Sequence, residues 1–223
     1  MNFFKKISPF LFLLILLFHI QAGFAQQQYL NEIQLFKKQD SISPPSANPI
    51  LFIGSSSITN WKDIKDYFPH HTIINRGFGG SQLTDIIYYA NDVIYPYNPK
   101  QVVIYAGEND LAYSDTVKAI HVLERFKTLY SLIRKKYSDI PVVYISIKPS
   151  VARKFLMPKM EEANKLIKEF LCSEKNASFV NVYSKMLLPD GSPDPIIFLD
   201  DNLHMNSKGY AIWQRAIEPY LLK

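Results

Sequence analysis

The chain has 223 residues, 48% of them hydrophobic, one cysteine and a formal net charge of +5. A charge that slight excludes the basic footprint of a nucleic-acid binder. The lone Cys172 cannot close an internal disulfide, so the fold must be held by burial.

In chain order, MNFFKK precedes the apolar run ISPFLFLLILLFHI and the small residues of QAGFA. This is the pattern of a secretory signal peptide cut after Ala25, which predicts a leader over 1–25, one domain over 26–223, and a secreted or periplasmic protein. The alternative is an uncleaved anchor, for which the apolar core is short. No cysteine follows the run to carry a lipid, and no second apolar span follows, so no stable membrane span is expected after cleavage. Loss of Lys5 and Lys6 with the leader lowers the charge to +3. The glutamines at 26–28 read as a frayed start.

Five short runs rich in β-branched and aromatic residues then predict strands: ILFIG (50–54), TIIN (72–75), QVVIYAG (101–107), PVVYISI (141–147) and SFVNVY (178–183). Their continuous apolar character calls for a sheet covered on both faces. Between them, Ala119, Leu123, Phe126, Tyr130, Ile133 and Tyr137 recur at helical spacing. So do Met160, Ala163, Ile167, Phe170 and Leu171, with Cys172 expected as a small core residue of that helix. Tyr210, Trp213 and Ile217 mark a last helix after Asn206. The alternation of strand and helix predicts a three-layer α/β/α domain on a five-stranded parallel sheet. In such domains ligands lie beyond the carboxyl ends of the strands.

Those ends read Gly54-Ser55-Ser56-Ser57, Asn75-Arg76-Gly77-Phe78-Gly79-Gly80 and Gly107-Glu108-Asn109-Asp110, with Asp201-Asn202-Leu203-His204 late in the chain. Each alone is ordinary turn chemistry. Together they supply acyl transfer: a serine hydroxyl, a histidine to take its proton, and a carboxylate to orient the ring. Asp201 at i−3 is the expected partner of His204, and Asp200 at i−4 its rival. A glycine N–H and the Asn109 amide are candidate oxyanion donors. His70 and His71 precede the second strand, at the opposite sheet edge, and His121 falls on a solvated helix face. GFGGSQ lacks the third glycine of a dinucleotide fingerprint, GSSSI is not a G-x-S-x-G elbow, and no histidine or cysteine cluster has metal-ligand spacing.

From Ile50 to about Leu221 the chain resembles the GDSL-type or SGNH hydrolases, esterases with a flavodoxin-like fold. GSSSIT matches the G-D-S-L block, NRGFGGS the N-x-G-x-x-G-D block, GEND the G-x-N-D block and DNLH the D-x-x-H block. The resemblance implies Ser56 as nucleophile, His204 as base and Asp201 as its orienter. It implies the N–H groups of Ser56 and Gly80 and the Asn109 amide as the oxyanion hole, with no cofactor or metal. The chain departs from the family at Ser55, where the family has a loop-organising acid, and at Ser81, where Asp is frequent. Short connections favour a short acyl group such as acetyl. Export extends that to esters on extracellular or cell-wall carbohydrate. Lysophospholipid or thioester hydrolysis is the enzymatic alternative, encouraged by apolar Phe155, Leu156 and Met157. A non-catalytic glycan- or surface-binding module is the alternative of another class. Lys148, Arg153, Lys154 and Lys159, in the connection 148–159, are expected as ordinary solvated surface, an anion-attracting patch being the other reading.

Overall fold

The computed structural model describes residues 28–223, so the predicted leader and its cleavage point lie outside the described residues. The chain divides into two compact units, one ending at Ile42 and one spanning Ser43–Lys223. The first contains α1 (Leu30–Ile42), a helix that the sequence reading did not anticipate. The second holds all five strands and every candidate site residue.

The strands are β1 (Ile50–Gly54), β2 (Ile73–Gly77), β3 (Gln101–Tyr105), β4 (Val142–Ile145) and β5 (Ala177–Val180). They form one parallel sheet in the order β2-β1-β3-β4-β5. Side chains alternate across a strand, and here both sets are buried. Phe52, Val103, Tyr105, Val143 and Ile145 face a core shared with Trp61 and Trp213. Leu51, Ile53, Val102, Ile104 and Tyr144 are buried on the other side, where the Tyr144 ring packs 4.7 Å from Phe126. That is the doubly covered sheet expected of continuous apolar strands.

The main covering helices are α7 (Ala119–Lys136), α8 (Met157–Cys172) and α9 (Ser207–Ile217). Shorter helices follow the strands: α2 (Ser56–Thr59), α3 (Ile64–Tyr67), α4 (Leu83–Tyr88), α5 (Ala90–Val93) and α6 (Glu108–Tyr113). The helical stripes are buried as their spacing required except at their ends: Phe170 is half-buried, and Tyr137, also half-buried, lies one residue beyond α7. Cys172, expected in the core, is instead exposed, because it sits one residue, a rotation of about 100°, past Leu171 at the edge of the stripe.

Strand ends differ from the sequence reading where side chains capture the backbone. Ile147 gives its N–H and C=O to the Asn164 amide, so β4 stops at Ile145. The N–H groups of Val182 and Tyr183 donate to Ser146 Oγ, which ends β5 at Val180. In β3 the chain turns away at Gly107, whose φ of 109° suits a residue without a side chain. Strand order reverses between β1 and β3, the point where open α/β sheets leave a crevice.

Candidate active site

The turn after β1 leaves no room for a side chain at its start. A Cβ on Gly54 would come within 2.0 Å of the Tyr105 carbonyl oxygen, and its φ is 148°. Ser55 N–H donates to that same carbonyl, and Ser55 C=O accepts from Ile58 N, Thr59 N and Thr59 Oγ1. Ser56 is thereby the first residue of α2, where a backbone N–H has no intrahelical acceptor. Asn75 braces the far end of the turn, donating through Nδ2 to the carbonyls of Ile58 and Trp61. Tyr210, on α9, donates to the Ser57 carbonyl. Ser57 is buried.

His204 reaches this turn from a segment 148 residues later. Phe198 and Met205 form an antiparallel bridge, and Leu199 N–H donates to His204 C=O, so residues 198–205 make a tight loop. Asn206 closes it: its side chain accepts from Lys208 N and Gly209 N at the start of α9 and donates to the carbonyls of Ile196 and Phe198. His204 Nε2 lies 3.0 Å from Ser56 Oγ, and Nδ1 lies 2.6 Å from Asp201 Oδ2. The other oxygen of Asp201 accepts from Leu203 N and His204 N. Asp200, the rival, gives its backbone carbonyl to the Asn202 amide instead.

Desolvation pushes the Asp201 carboxyl up. The ring hydrogen bond, the two backbone N–H groups and the charge of His204 outweigh it and lower the group to about 2. Asp201 is therefore a carboxylate at any ordinary pH. A neutral imidazole held this way carries its proton on Nδ1 and presents a bare Nε2 to the serine hydroxyl.

The loops after β2 and β3 are tied to the same turn. Phe78 N–H and Ser81 Oγ both donate to the Gly54 carbonyl. An ionised carboxylate in place of Ser81 could not make the second of these bonds. Ser81 C=O in turn accepts from Asn109 Nδ2 at 3.1 Å. Gly80 stands at the exposed tip of its loop with φ 79°. Asp110 accepts from Leu83 N at the start of α4 and from Arg125 on α7, so it holds these loops in register.

Beneath Asn109 lies a cluster that sequence reasoning missed. Glu108 is 4% exposed and accepts from the Tyr105 hydroxyl, from Lys148 at 3.2 Å and from Arg153 at 2.9 Å. Lys148 is 1% exposed and also donates to the Leu203 carbonyl. Lys148 is thus not the surface lysine expected, because a carboxylate and a carbonyl supply the partners that burial of an ammonium demands. Arg153 is partly covered and paired, whereas Lys154 is exposed. Burial pushes Glu108 up, but the two cations and the tyrosine hydroxyl prevail and hold it below its ordinary value. The signal was present in the glutamate of GEND, which places an acidic side chain immediately after a buried strand. Its partners lie 40 and 45 residues away, beyond any local pattern.

The other histidines stay outside this constellation: His71 bonds Glu218 and the Leu222 carbonyl, and exposed His121 accepts from Lys118 N. Among the described residues no group of three or more potential ligands could hold a metal ion.

Residues 53–212 match the model of the GDSL-like lipase/acylhydrolase family. The chain belongs to that family. Its members hydrolyse ester bonds, and this chain is an ester hydrolase of the same class. No curated protein matches the sequence. Among solved structures, a Streptococcus pneumonia protein provisionally described as a platelet activating factor is 19% identical. The match covers 93% of this chain and 99% of that one, with a TM-score of 0.77. A GDSL-like lipase from Bacteroides thetaiotaomicron is 18% identical over 84% of this chain and 95% of that one, with a TM-score of 0.69. A single-site variant of an acetyl xylan esterase from Geobacillus stearothermophilus is 17% identical over 80% and 99%, with a TM-score of 0.59. At these identities the likeness is one of fold.

Proposed function

We propose that the chain is a serine esterase that removes short acyl groups, acetyl foremost, from carbohydrate outside the cytoplasm. The observation that carries this reading is the continuous hydrogen-bonded chain from Ser56 Oγ through the His204 ring to the Asp201 carboxylate, with its 3.0 Å and 2.6 Å links. Ser56 Oγ attacks the ester carbonyl as His204 Nε2 accepts its proton, and Asp201 stabilises the resulting imidazolium. The oxyanion is held by the N–H groups of Ser56 and Gly80 and by Asn109 Nδ2. His204 returns the proton to the departing alcohol, leaving an acyl-serine. Water, activated by the same ring, then releases the acid and restores the hydroxyl.

The acetyl assignment rests on the short connections that follow β1, β2 and β3 and on a fold shared with an acetyl xylan esterase. The site outside the cytoplasm rests on the leader pattern of residues 1–25. A second reading, lysophospholipid or thioester hydrolysis, is favoured by exposed apolar side chains in the connections after β4 and β5, namely Phe155, Leu188, Ile196 and Leu199.

Hydrolysis of p-nitrophenyl esters of increasing chain length by the wild type and Ser56→Ala tests the proposal. Turnover confined to acetate and butyrate, abolished in the variant, is the expected result. Preference for long chains moves the assignment to lipids, and turnover that survives Ser56→Ala refutes the choice of nucleophile.

A further inference from the structure

The carboxamide of Asn109 can be placed two ways round, and its neighbours permit only one. Asn109 Oδ1 accepts from Arg153 Nη1 at 3.0 Å, while Nδ2 donates to the Ser81 carbonyl at 3.1 Å. Turning the amide over would set its NH2 against a guanidinium and its oxygen against a carbonyl oxygen, replacing two attractions by two repulsions. The same Arg153 nitrogen donates to Glu108 Oε1 at 2.9 Å. Glu108 is in turn held by Lys148, whose ammonium also binds the Leu203 carbonyl next to His204. Ala152, one residue before Arg153, donates its N–H to the Asn202 carbonyl in the same loop. One buried carboxylate therefore organises both halves of the site, the amide on one side and the Asp201–His204 loop on the other.

We propose that Arg153 is a positioning residue for the Asn109 amide: anchored on buried Glu108, it holds Oδ1 so that the second Nδ2 hydrogen faces the developing oxyanion. The inference rests on the functional reading of Asn109 given above. Its observable consequence is coupling. Removing the guanidinium lets the amide turn, which wastes the donor without deleting it, so the loss exists only while Asn109 is present.

The test is a double-mutant cycle of Arg153→Met and Asn109→Ala, read as kcat and KM on p-nitrophenyl acetate, with Ser56→Ala as the blank. Removal of an oxyanion donor costs on the order of a hundredfold in kcat, and Asn109→Ala is expected to show this. Arg153→Met is expected to lower kcat about tenfold with KM changed less than about twofold, and to lower it less than about twofold when Asn109→Ala is already present. Equal losses in both backgrounds overturn the proposal.

The second measurement does not need turnover. In protein labelled with 15N-asparagine, the Asn109 side-chain pair, assigned by its loss in Asn109→Ala, is expected to be sharp and well dispersed. In Arg153→Met it is expected to broaden or move toward the position of a free carboxamide. An unchanged pair overturns the assignment whatever the activity. A wild type inert on every ester sinks the functional reading alone, and the amide spectrum still decides the role of Arg153.

Discussion

Two carboxylates support this site, and they do so by opposite means. Asp201 is 47% exposed at its side chain and takes all its hydrogen bonds from residues two and three positions along the chain. Glu108 is nearly sealed from solvent and is held by cations 40 and 45 residues away. Both are kept below their ordinary values, Asp201 by a short loop that folds its own N–H groups onto the acid, Glu108 by tertiary structure. The exposed group is therefore replaceable without harm to the fold, whereas the buried one is bound up with it.

The sharpest way to break this contrast is at the exposed side. His204→Ala is expected to lower kcat by on the order of 10⁴-fold or more, since loss of one member of such a unit costs nearly as much as loss of all. Asp201→Asn should follow within about tenfold: the N–H groups of Leu203 and His204 keep the amide oxygen, so its NH2 faces Nδ1 and forces the ring proton onto Nε2, where the base is needed. His204→Ala should leave the thermal midpoint within about 2 °C of the wild type, because no core contact is removed, whereas Asp201→Asn gives up the modest, solvent-screened stability that its carboxylate contributes. A large drop in stability for Asp201→Asn would mean that the loop 198–205 depends on that carboxylate for its fold.

Next comes the buried side. Lys148→Met leaves Glu108 with Arg153 and Tyr105 but removes its most buried cation and orphans the Leu203 carbonyl. The expected cost is about 3 kcal/mol, the lower end of what breaking a buried ion pair costs. Adding Glu108→Gln should restore part of that loss, since the unpaired charge is then gone. Denaturant unfolding of four proteins, the wild type, Lys148→Met, Glu108→Gln and the double variant, measures this, and strict additivity of the two changes would show that Lys148 and Glu108 do not interact.

Acid titration separates the two carboxylates on one axis. A carboxyl held lower in the folded than in the unfolded chain contributes stability above its unfolded value and loses it as pH falls through the folded one. For Glu108 the loss begins below the unfolded value near 4.5, and for Asp201 it begins below 3.8 and completes near 2. Asp110, which burial raises, works in the opposite direction and dilutes the total. Glu108→Gln is expected to flatten the fall in thermal midpoint that begins below about pH 4.5, and Asp201→Asn only its most acidic part. Identical slopes in both variants and the wild type would remove electrostatics from the explanation of either site.

The same contrast decides what could be read in advance. Ser56, His204, Asp201 and Asn109 could be singled out as candidates because each sits in a short motif at a strand or helix end. The structure adds the hydrogen bonds that join three of them and a backbone reason for their turns. Strand runs and helical stripes were legible through their periods. Lys148 was misread because a lysine after a strand looks like any surface lysine until the glutamate that faces it, 40 residues earlier, is in view. Cys172 was misplaced for a smaller reason of the same kind, since the helix phase at its last residue depends on where the stripe ends. The helix α1 carries too weak an apolar stripe to announce itself; only Ile33 of its residues is buried.

The smallest expected effect concerns the residue where the chain departs most visibly from its family. Ser55 stands where an acid would organise the turn, yet its side chain makes no capping hydrogen bond to α2. Its backbone does the organising: the N–H is taken by Tyr105, and the carbonyl by Ile58, Thr59 N and the Thr59 hydroxyl. Glycine 54 and Asn75 hold the two ends of the same turn. Loss of a capping serine ordinarily costs about 1 kcal/mol, most of it from the side-chain bond that is missing here. Ser55→Ala is accordingly expected to change stability by less than about 0.5 kcal/mol and kcat by less than about threefold. By contrast, Thr59→Val keeps the shape but removes a donor to the Ser55 carbonyl, and it should cost more than Ser55→Ala in the same unfolding assay. The reverse order would show that the Ser55 hydroxyl has taken over the work of the acid it replaces.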